Sequence, residues 1–133
     1  MKFNSQICTS IKQSQRLIAL GLKRETADMY ISNGIICAKP YSEVMEFMRG
    51  VPIREVIIPA WSLHRLWDIL PKDVEVDDDC YATSHLEGEK AIVYHDYGYH
   101  CYNFDRKNNI YDNLIDCIEW LIKEGYFSKE YLE

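Results

Sequence analysis

The chain has 133 residues, a formal net charge of −6, and 15 lysines and arginines against 21 aspartates and glutamates. This length suits one domain of ordinary size, and a hydrophobic fraction of 47% excludes a disordered chain. No apolar run reaches the roughly 18 residues that a membrane-spanning helix requires, and the net acidity disfavours non-specific binding to a phosphate backbone. We therefore expect a single globular domain over residues 1–133.

The N-terminus and the cysteines indicate a cytoplasmic protein. The first ten residues contain one lysine and no apolar run, which is not the pattern of a secretory signal. The five cysteines are odd in number and widely spaced. Without an export signal, we expect reduced thiols in the cytoplasm.

A helix and a hairpin are predicted in the first third of the chain. Ser10 and Gln13 have the spacing of a capping box, and Gly21 is suited to end the helix that follows. The dipeptide Asn33-Gly34 lies between β-branched and aromatic residues, which predicts a two-residue hairpin turn.

Another two helices and a strand are predicted in the middle of the chain. Ser42 is suited to begin a short helix whose apolar side includes Phe47. Residues 51–58 are rich in β-branched side chains and predict a strand. Over residues 62–70, leucines and a tryptophan recur at helical spacing after Ser62, which predicts a capped amphipathic helix.

The second half begins with an acidic segment. Three carboxylates alternate with two valines over residues 73–77, so a strand there would place the two kinds of side chain on opposite faces. We expect this strand to form a solvated sheet edge, where charge discourages pairing with other chains.

An antiparallel meander and a long helix complete the predicted fold. Residues 80–105 contain three β-type runs separated by turn residues. The last helix has an apolar side formed by Ile110, Leu114, Ile115, Ile118, Leu121 and Ile122. We predict an α+β fold, in which a small, mainly antiparallel sheet is packed by a long C-terminal helix and two or three shorter helices.

Tyrosine is the most distinctive component of the sequence. Four tyrosines crowd one segment of the predicted meander, and we take them as candidate binding residues: Tyr94, Tyr97, Tyr99 and Tyr102. Aromatic side chains on a sheet can contact a protein or a small ligand, can stack on bases, or can simply pack. Few basic residues are interleaved with them, so nucleic acid is a disfavoured partner.

The same segment contains weak candidates for a metal or catalytic site. They are His85, His95, His100 and Cys101, together with Asp96. Strand positions alternate in facing, so His95 and His100 point to opposite faces unless the turn between them resets the register. The sequence lacks the GxxxxGK[ST], GxGxxG, GxSxG and HExxH motifs, and we expect no cofactor and no metal.

A basic N-terminal segment leaves one nucleic-acid hypothesis open. The first 25 residues contain five basic side chains and one acidic side chain, the basic ones being Lys2, Lys12, Arg16, Lys23 and Arg24. On two helices joined at a glycine, these residues would resemble a weak helix-turn-helix.

Three longer blocks carry a family resemblance. They are FNSQICTSIKQSQRLIALGLKRETADM (Phe3–Met29), IPAWSLHRLWDILP (Ile58–Pro71) and DNLIDCIEWLIKEGYFSKEYL (Asp112–Leu132). In this order they resemble a family of short uncharacterised proteins of Bacteroides-type gut bacteria, their phages and mobile elements. The resemblance implies a cytoplasmic protein of mobile-element origin, and it assigns no activity and no catalytic residue.

The sequence as a whole favours a non-enzymatic binding or interaction module, as an accessory protein of a phage or mobile element. An unknown protein or a small ligand would be its partner, without a membrane, and a homodimer is compatible with the sequence. Two alternatives stay open. One is a small enzyme whose site is assembled from the His, Cys and Asp residues of the 80–101 strands, and the other is a nucleic-acid module that uses the basic N-terminal helix.

Overall fold

The computed structural model describes residues 5–49, 57–77, 80–87, 91–96 and 100–133. It divides into two compact units, one comprising Met1–Asp68 with Glu130–Glu133 and the other comprising Ile69–Lys129. The expectation of a single domain stays a prediction.

The first unit contains a three-stranded antiparallel sheet with helices. Its strands are β1 (Met29–Ser32), β2 (Ile35–Cys37) and β3 (Ile57–Ala60), in the spatial order β2-β1-β3. Its helices are α1 (Ile11–Ala19), α2 (Tyr41–Phe47) and α3 (Leu63–Ile69), and the last residue of α3 belongs to the second unit. Short 3₁₀ turns occupy Arg24–Thr26 and Lys129–Tyr131.

The start of α1 confirms the predicted capping box. The backbone N–H of Gln13 donates to Ser10 Oγ at 3.2 Å, and the backbone N–H of Ser10 donates to Gln13 Oε1 at 2.9 Å. The helix ends before Gly21, whose φ of 100° is in the left-handed region that glycine adopts without strain.

The predicted hairpin is also confirmed. Asn33 and Gly34 have φ values of 51° and 77°, the signs that a type I′ turn requires at both central positions. Ser32 and Ile35 pair directly beside the turn, which fixes the register of β1 against β2.

The structure corrects two expectations about α2. The helix begins at Tyr41 after Pro40, not after Ser42, because Pro40 sets an extended backbone and the Tyr41 N–H already donates to the Ala27 carbonyl at 3.2 Å. Phe47 is 86% exposed, so its place on an apolar stripe does not bury it.

The next two predicted elements are partly described. Most of the strand predicted over residues 51–58 lies outside the described residues, and β3 begins at Ile57. Ser62 caps α3 as predicted, because its Oγ accepts a hydrogen bond from the Arg65 N–H at 3.1 Å.

The second unit contains a four-stranded antiparallel sheet and the C-terminal helix. The strands are β4 (Asp73–Asp77), β5 (Cys80–Glu87), β6 (Ala91–Asp96) and β7 (His100–Asn103), paired in chain order. The C-terminal helix α4 (Ile110–Lys123) contacts β6. The predicted meander and acidic edge strand are thereby confirmed, with Val74 buried and both Asp73 and Glu75 exposed.

These elements confirm the α+β class, with antiparallel pairing and a C-terminal helix, although the strands form two sheets. In the first unit, one face of the sheet is buried in a cluster of Cys8, Met29, Ile31 and Ala60. In the second unit, α4 carries fully buried leucines and isoleucines. No helix in the described part of the chain combines the length and the apolar character needed to cross a membrane.

Candidate interaction surface

The structure describes two of the four tyrosines that the sequence singles out. Tyr94 on β6 and Tyr102 on β7 lie directly opposite each other, whereas Tyr97 and Tyr99 lie outside the described residues. The Tyr102 ring is half-buried against Trp120 of α4, with the ring centroids 4.6 Å apart. This contact gives Tyr102 a packing role.

Trp120 is the centre of an aromatic cluster that the sequence did not predict. Besides Tyr102, the rings of Phe104 and Tyr126 lie near Trp120, with centroid distances of 5.8 and 5.6 Å. All four rings are half-buried, which suits packing between β7, α4 and the segments that flank them.

The strand register divides the predicted metal and catalytic positions into two opposite pairs, one on each face of the sheet. His95 pairs with Cys101, and Asp96 pairs with His100. Adjacent positions alternate between the two faces of a sheet, so His95 and His100 occupy positions on opposite faces, as expected. His85 pairs with Val93, two residues before His95, so positions 85, 95 and 101 share one face of the sheet. The side chains of these candidates lie outside the part of the chain that the structure describes, and within that part no group of three or more His, Cys, Asp or Glu could hold a metal ion.

The basic N-terminal segment does not form two helices. α1 is followed by a single 3₁₀ turn over Arg24–Thr26. A recognition helix must reach along the major groove, and three residues are too short for that. The described part of this segment therefore lacks the second helix, with which a helix-turn-helix contacts the base edges.

A concave site in the described residues lies between the β1–β2 hairpin and α2. Its volume is about 250 Å³, and we call it the Tyr30 cleft after the strand residue in its lining. The lining residues are Tyr30, Lys39, Glu43, Val44 and Phe47. Tyr30 belongs to the sheet face opposite the buried cluster, because its strand neighbours Met29 and Ile31 belong to that cluster.

The tyrosine that lines the cleft has a cysteine as its neighbour across the hairpin. Tyr30 lies directly opposite Cys37. A hydrogen bond between these two side chains raises the pKa of Tyr30, and desolvation and the charges of Cys37 and Glu43 add to the effect.

Exposed apolar side chains surround this cleft and its edge strand. Phe47 at the cleft is 86% exposed, while Ile35 and Ile36 on β2 are 66% and 45% exposed. The sequence missed this surface because the spacing of apolar residues shows which side of an element they share, and does not show whether another element covers that side.

A second cavity of about 270 Å³ lies on another side of α2. Its lining residues are Arg24, Glu25, Tyr41, Ser42 and Met45. The Tyr41 hydroxyl is buried and has no hydrogen-bond partner among the described residues. Because its oxygen is closed to solvent, this hydroxyl is not presented to a ligand.

Comparisons with protein-family models, curated proteins and solved structures returned no match.

Proposed function

We propose that this protein is a non-enzymatic interaction module that binds another protein at the Tyr30 cleft. The partner would insert one large apolar side chain from an exposed segment. The observation that carries the proposal is the phenyl ring of Phe47, which lines the cleft and yet is 86% exposed. Large aromatic side chains beside a pocket are typical anchors of protein interfaces.

The size of the cleft favours a side chain over a whole small molecule. Pockets for small ligands and cofactors usually measure about 300–1,000 Å³ and enclose most of their ligand. The Tyr30 cleft, at about 250 Å³, lies below that range. A single leucine or aromatic side chain of a partner fits this volume better than a cofactor would.

The chemistry of the lining indicates what flanks that side chain. Val44 and Phe47 supply apolar surface, while Lys39 and Glu43 supply one charge of each sign. An apolar centre with charged groups around it is the usual anatomy of a protein interface. We infer a partner segment with a large apolar residue between an acidic residue, which pairs with Lys39, and a basic residue, which pairs with Glu43.

Two further parts of the proposal have narrower support. A cytoplasmic location is supported by the free thiols of Cys8 and Cys37. A role as an accessory protein of a phage or mobile element is supported only by the resemblance of the three sequence blocks.

A displayed library of random peptides tests the proposal on the full chain. We expect selection to enrich peptides that contain a large apolar residue between charges of opposite sign. Fluorescence anisotropy should show at least tenfold weaker binding to Phe47→Ser, which removes an exposed ring without disturbing the core.

Ile7→Ser is the matched control, because Ile7 is also exposed, at 56%, and does not line the cleft. Selected peptides should bind this variant as they bind the unmodified protein. The proposal is wrong if selection enriches no peptide, or if the enriched peptides bind Phe47→Ser with unchanged affinity.

A further inference from the structure

The outer side of β2 has backbone groups that the described residues do not pair. In the strand order β2-β1-β3, β2 pairs with β1 and with no other strand among the described residues. Ser32 and Ile35 flank the two-residue turn and exchange both of their hydrogen bonds, so the next pair, Ile31 with Ile36, is a non-hydrogen-bonded pair. The N–H and C=O of Ile36 therefore point away from β1, toward the open edge.

The side chain of Ile36 is the outermost of three isoleucines that lie side by side across the sheet. Ile31 lies opposite Ile58 on β3 and opposite Ile36 on β2, so the three side chains form one cross-strand row. Ile31 is only 7% exposed and Ile58 is half-buried, whereas Ile36 is 45% exposed. The row thus runs from the buried cluster to the sheet edge and is open there.

The β2 edge lacks the charged side chains that the edge strand β4 of the other sheet carries. The edge strand β4 alternates carboxylates with valines, and such charges discourage pairing with a further strand. In contrast, β2 has the sequence Ile-Ile-Cys and carries no charge. An uncharged edge with exposed isoleucines is suited to receive another strand.

We propose that the strand it receives is β2 of a second copy, paired antiparallel about a two-fold axis at Ile36. The two Ile36 residues would exchange both backbone hydrogen bonds, because each has its N–H and C=O directed outward. Their side chains would join the two rows into one row of isoleucines. In this register Lys39 lies toward Asn33 of the second copy, so no like charges are opposed.

Self-complementarity favours a second copy over an unrelated strand. A two-fold interface uses the same surface patch on both chains, and a residue on the axis meets its own counterpart. Ile36 satisfies this condition in both its backbone groups and its side chain. The pairing also continues an existing sheet, so it requires no change in the backbone of β2.

The dimer would bring the two Tyr30 clefts together. The axis is perpendicular to the sheet, so both clefts open on the same face. Ile35 of the second copy would lie opposite Cys37, which is itself opposite Tyr30. Each cleft would thereby gain an isoleucine from the other chain. This dimer does not depend on the proposed binding of a partner, and the partner could engage both clefts at once.

Sedimentation equilibrium over a range of chain concentrations up to about 1 mM tests the dimer. We expect the unmodified protein to dimerise and Ile36→Lys to be monomeric, since the substitution opposes two lysines on the axis. Ile7→Lys, the same change at another exposed isoleucine, should dimerise as the unmodified protein does. Ile36→Pro should also be monomeric, because it removes the outward N–H and no hydrogen bond to β1.

The proposal is wrong if the unmodified protein is monomeric at every concentration. It is equally wrong if folded Ile36→Lys or Ile36→Pro dimerises like the unmodified protein, with folding checked by circular dichroism. The peptide selection described above can be repeated on monomeric Ile36→Lys, so failure of the dimer and failure of the cleft are separately visible.

A disulfide test checks the register itself. Opposite residues in a hydrogen-bonded antiparallel pair have Cα atoms about 5.5 Å apart, which lies within the range for a disulfide. Ile36→Cys in a Cys37→Ser background should therefore give a covalent dimer under mild oxidation. Ile7→Cys in the same background is the control, and equal cross-linking of both variants would overturn the register.

Discussion

Asp28 accepts two hydrogen bonds from Ser62, one from its backbone N–H at 2.9 Å and one from its hydroxyl at 2.5 Å. Ser62 Oγ also accepts the capping hydrogen bond from the Arg65 N–H. The carboxylate that precedes β1 therefore holds the residue that begins α3. This connection fixes the start of the helix relative to the sheet.

Replacing Asp28 should destabilise the protein more than its partial exposure suggests. Asp28→Ala removes both acceptors from Ser62, and we expect a loss of about 2–3 kcal/mol in the free energy of unfolding, since hydrogen bonds to charged groups contribute about 1.5–3 kcal/mol. Asp28→Asn keeps one acceptor oxygen and should lose less. Urea denaturation measures both, and equal losses in the two variants would contradict this role.

The hydrogen bonds of Ser62 were only partly predictable from the sequence. The Ser62 cap and the Ser10–Gln13 box were predictable because the interacting atoms lie three residues apart. Asp28 was not predictable as the partner of Ser62, because 34 residues separate them and only the folded chain brings them together.

The Tyr30 cleft illustrates the same limit. Asn33-Gly34 predicts the hairpin that carries Tyr30, because the turn type depends on local backbone conformation. Nothing local places α2 beside that hairpin, so Glu43 and Phe47 were not recognisable as its neighbours. The tyrosine cluster was selected by composition, and Tyr102 proves to pack against Trp120.

Trp61 forms a second long-range connection in the first unit. Its side chain is fully buried, and its indole Nε1–H donates to Thr26 Oγ1 at 3.0 Å. The Thr26 hydroxyl in turn donates to the Lys23 carbonyl at 2.6 Å. Trp61 also exchanges hydrogen bonds with Thr9, donating its N–H to Oγ1 and accepting the Thr9 N–H at its carbonyl.

Thr26→Val tests the importance of the indole hydrogen bond. Valine has nearly the shape of threonine but leaves the buried indole N–H without an acceptor, which costs about 1–3 kcal/mol. Thr26→Ser keeps the hydroxyl and removes one methyl group, a loss of about 0.8 kcal/mol. We expect chemical denaturation to show the valine variant as the less stable of the two. The reverse order would contradict the assigned hydrogen bond.

The contact between Tyr102 and Trp120 should be measurable as a coupling energy. Their centroids are 4.6 Å apart, and aromatic pairs of this kind contribute about 0.5–1.5 kcal/mol beyond the area they bury. A double-mutant cycle with Tyr102→Leu and Trp120→Leu should give a coupling in that range. The cycle that combines Trp120→Leu with Phe47→Leu is the control, because Phe47 is 86% exposed, and it should be additive within about 0.5 kcal/mol. Additivity in both cycles would remove the packing role of Tyr102.

Ionisation of the Cys8 thiol makes the stability of the protein depend on pH in the alkaline range. Its thiol is buried in the cluster with Met29, Ile31 and Ala60. Burial, and to a smaller extent the charge of Asp28, raises the pKa of this thiol above its ordinary value of about 9. The unfolded chain therefore releases the thiol proton at a lower pH than the folded chain does. Between these two pKa values the folded state binds more protons, so stability falls as the pH rises.

Cys8→Ala should flatten this alkaline decline. The contribution of the thiol is fully present below its unfolded pKa and is lost as the pH rises through its folded pKa, so the decline begins near pH 9. We expect denaturation curves from neutral to alkaline pH to show a shallower fall for Cys8→Ala than for the unmodified protein. Ile31→Val, in the same cluster, should lower stability by about 1 kcal/mol at every pH and keep the original slope. Equal slopes in the unmodified protein and Cys8→Ala would show that this thiol does not govern the decline.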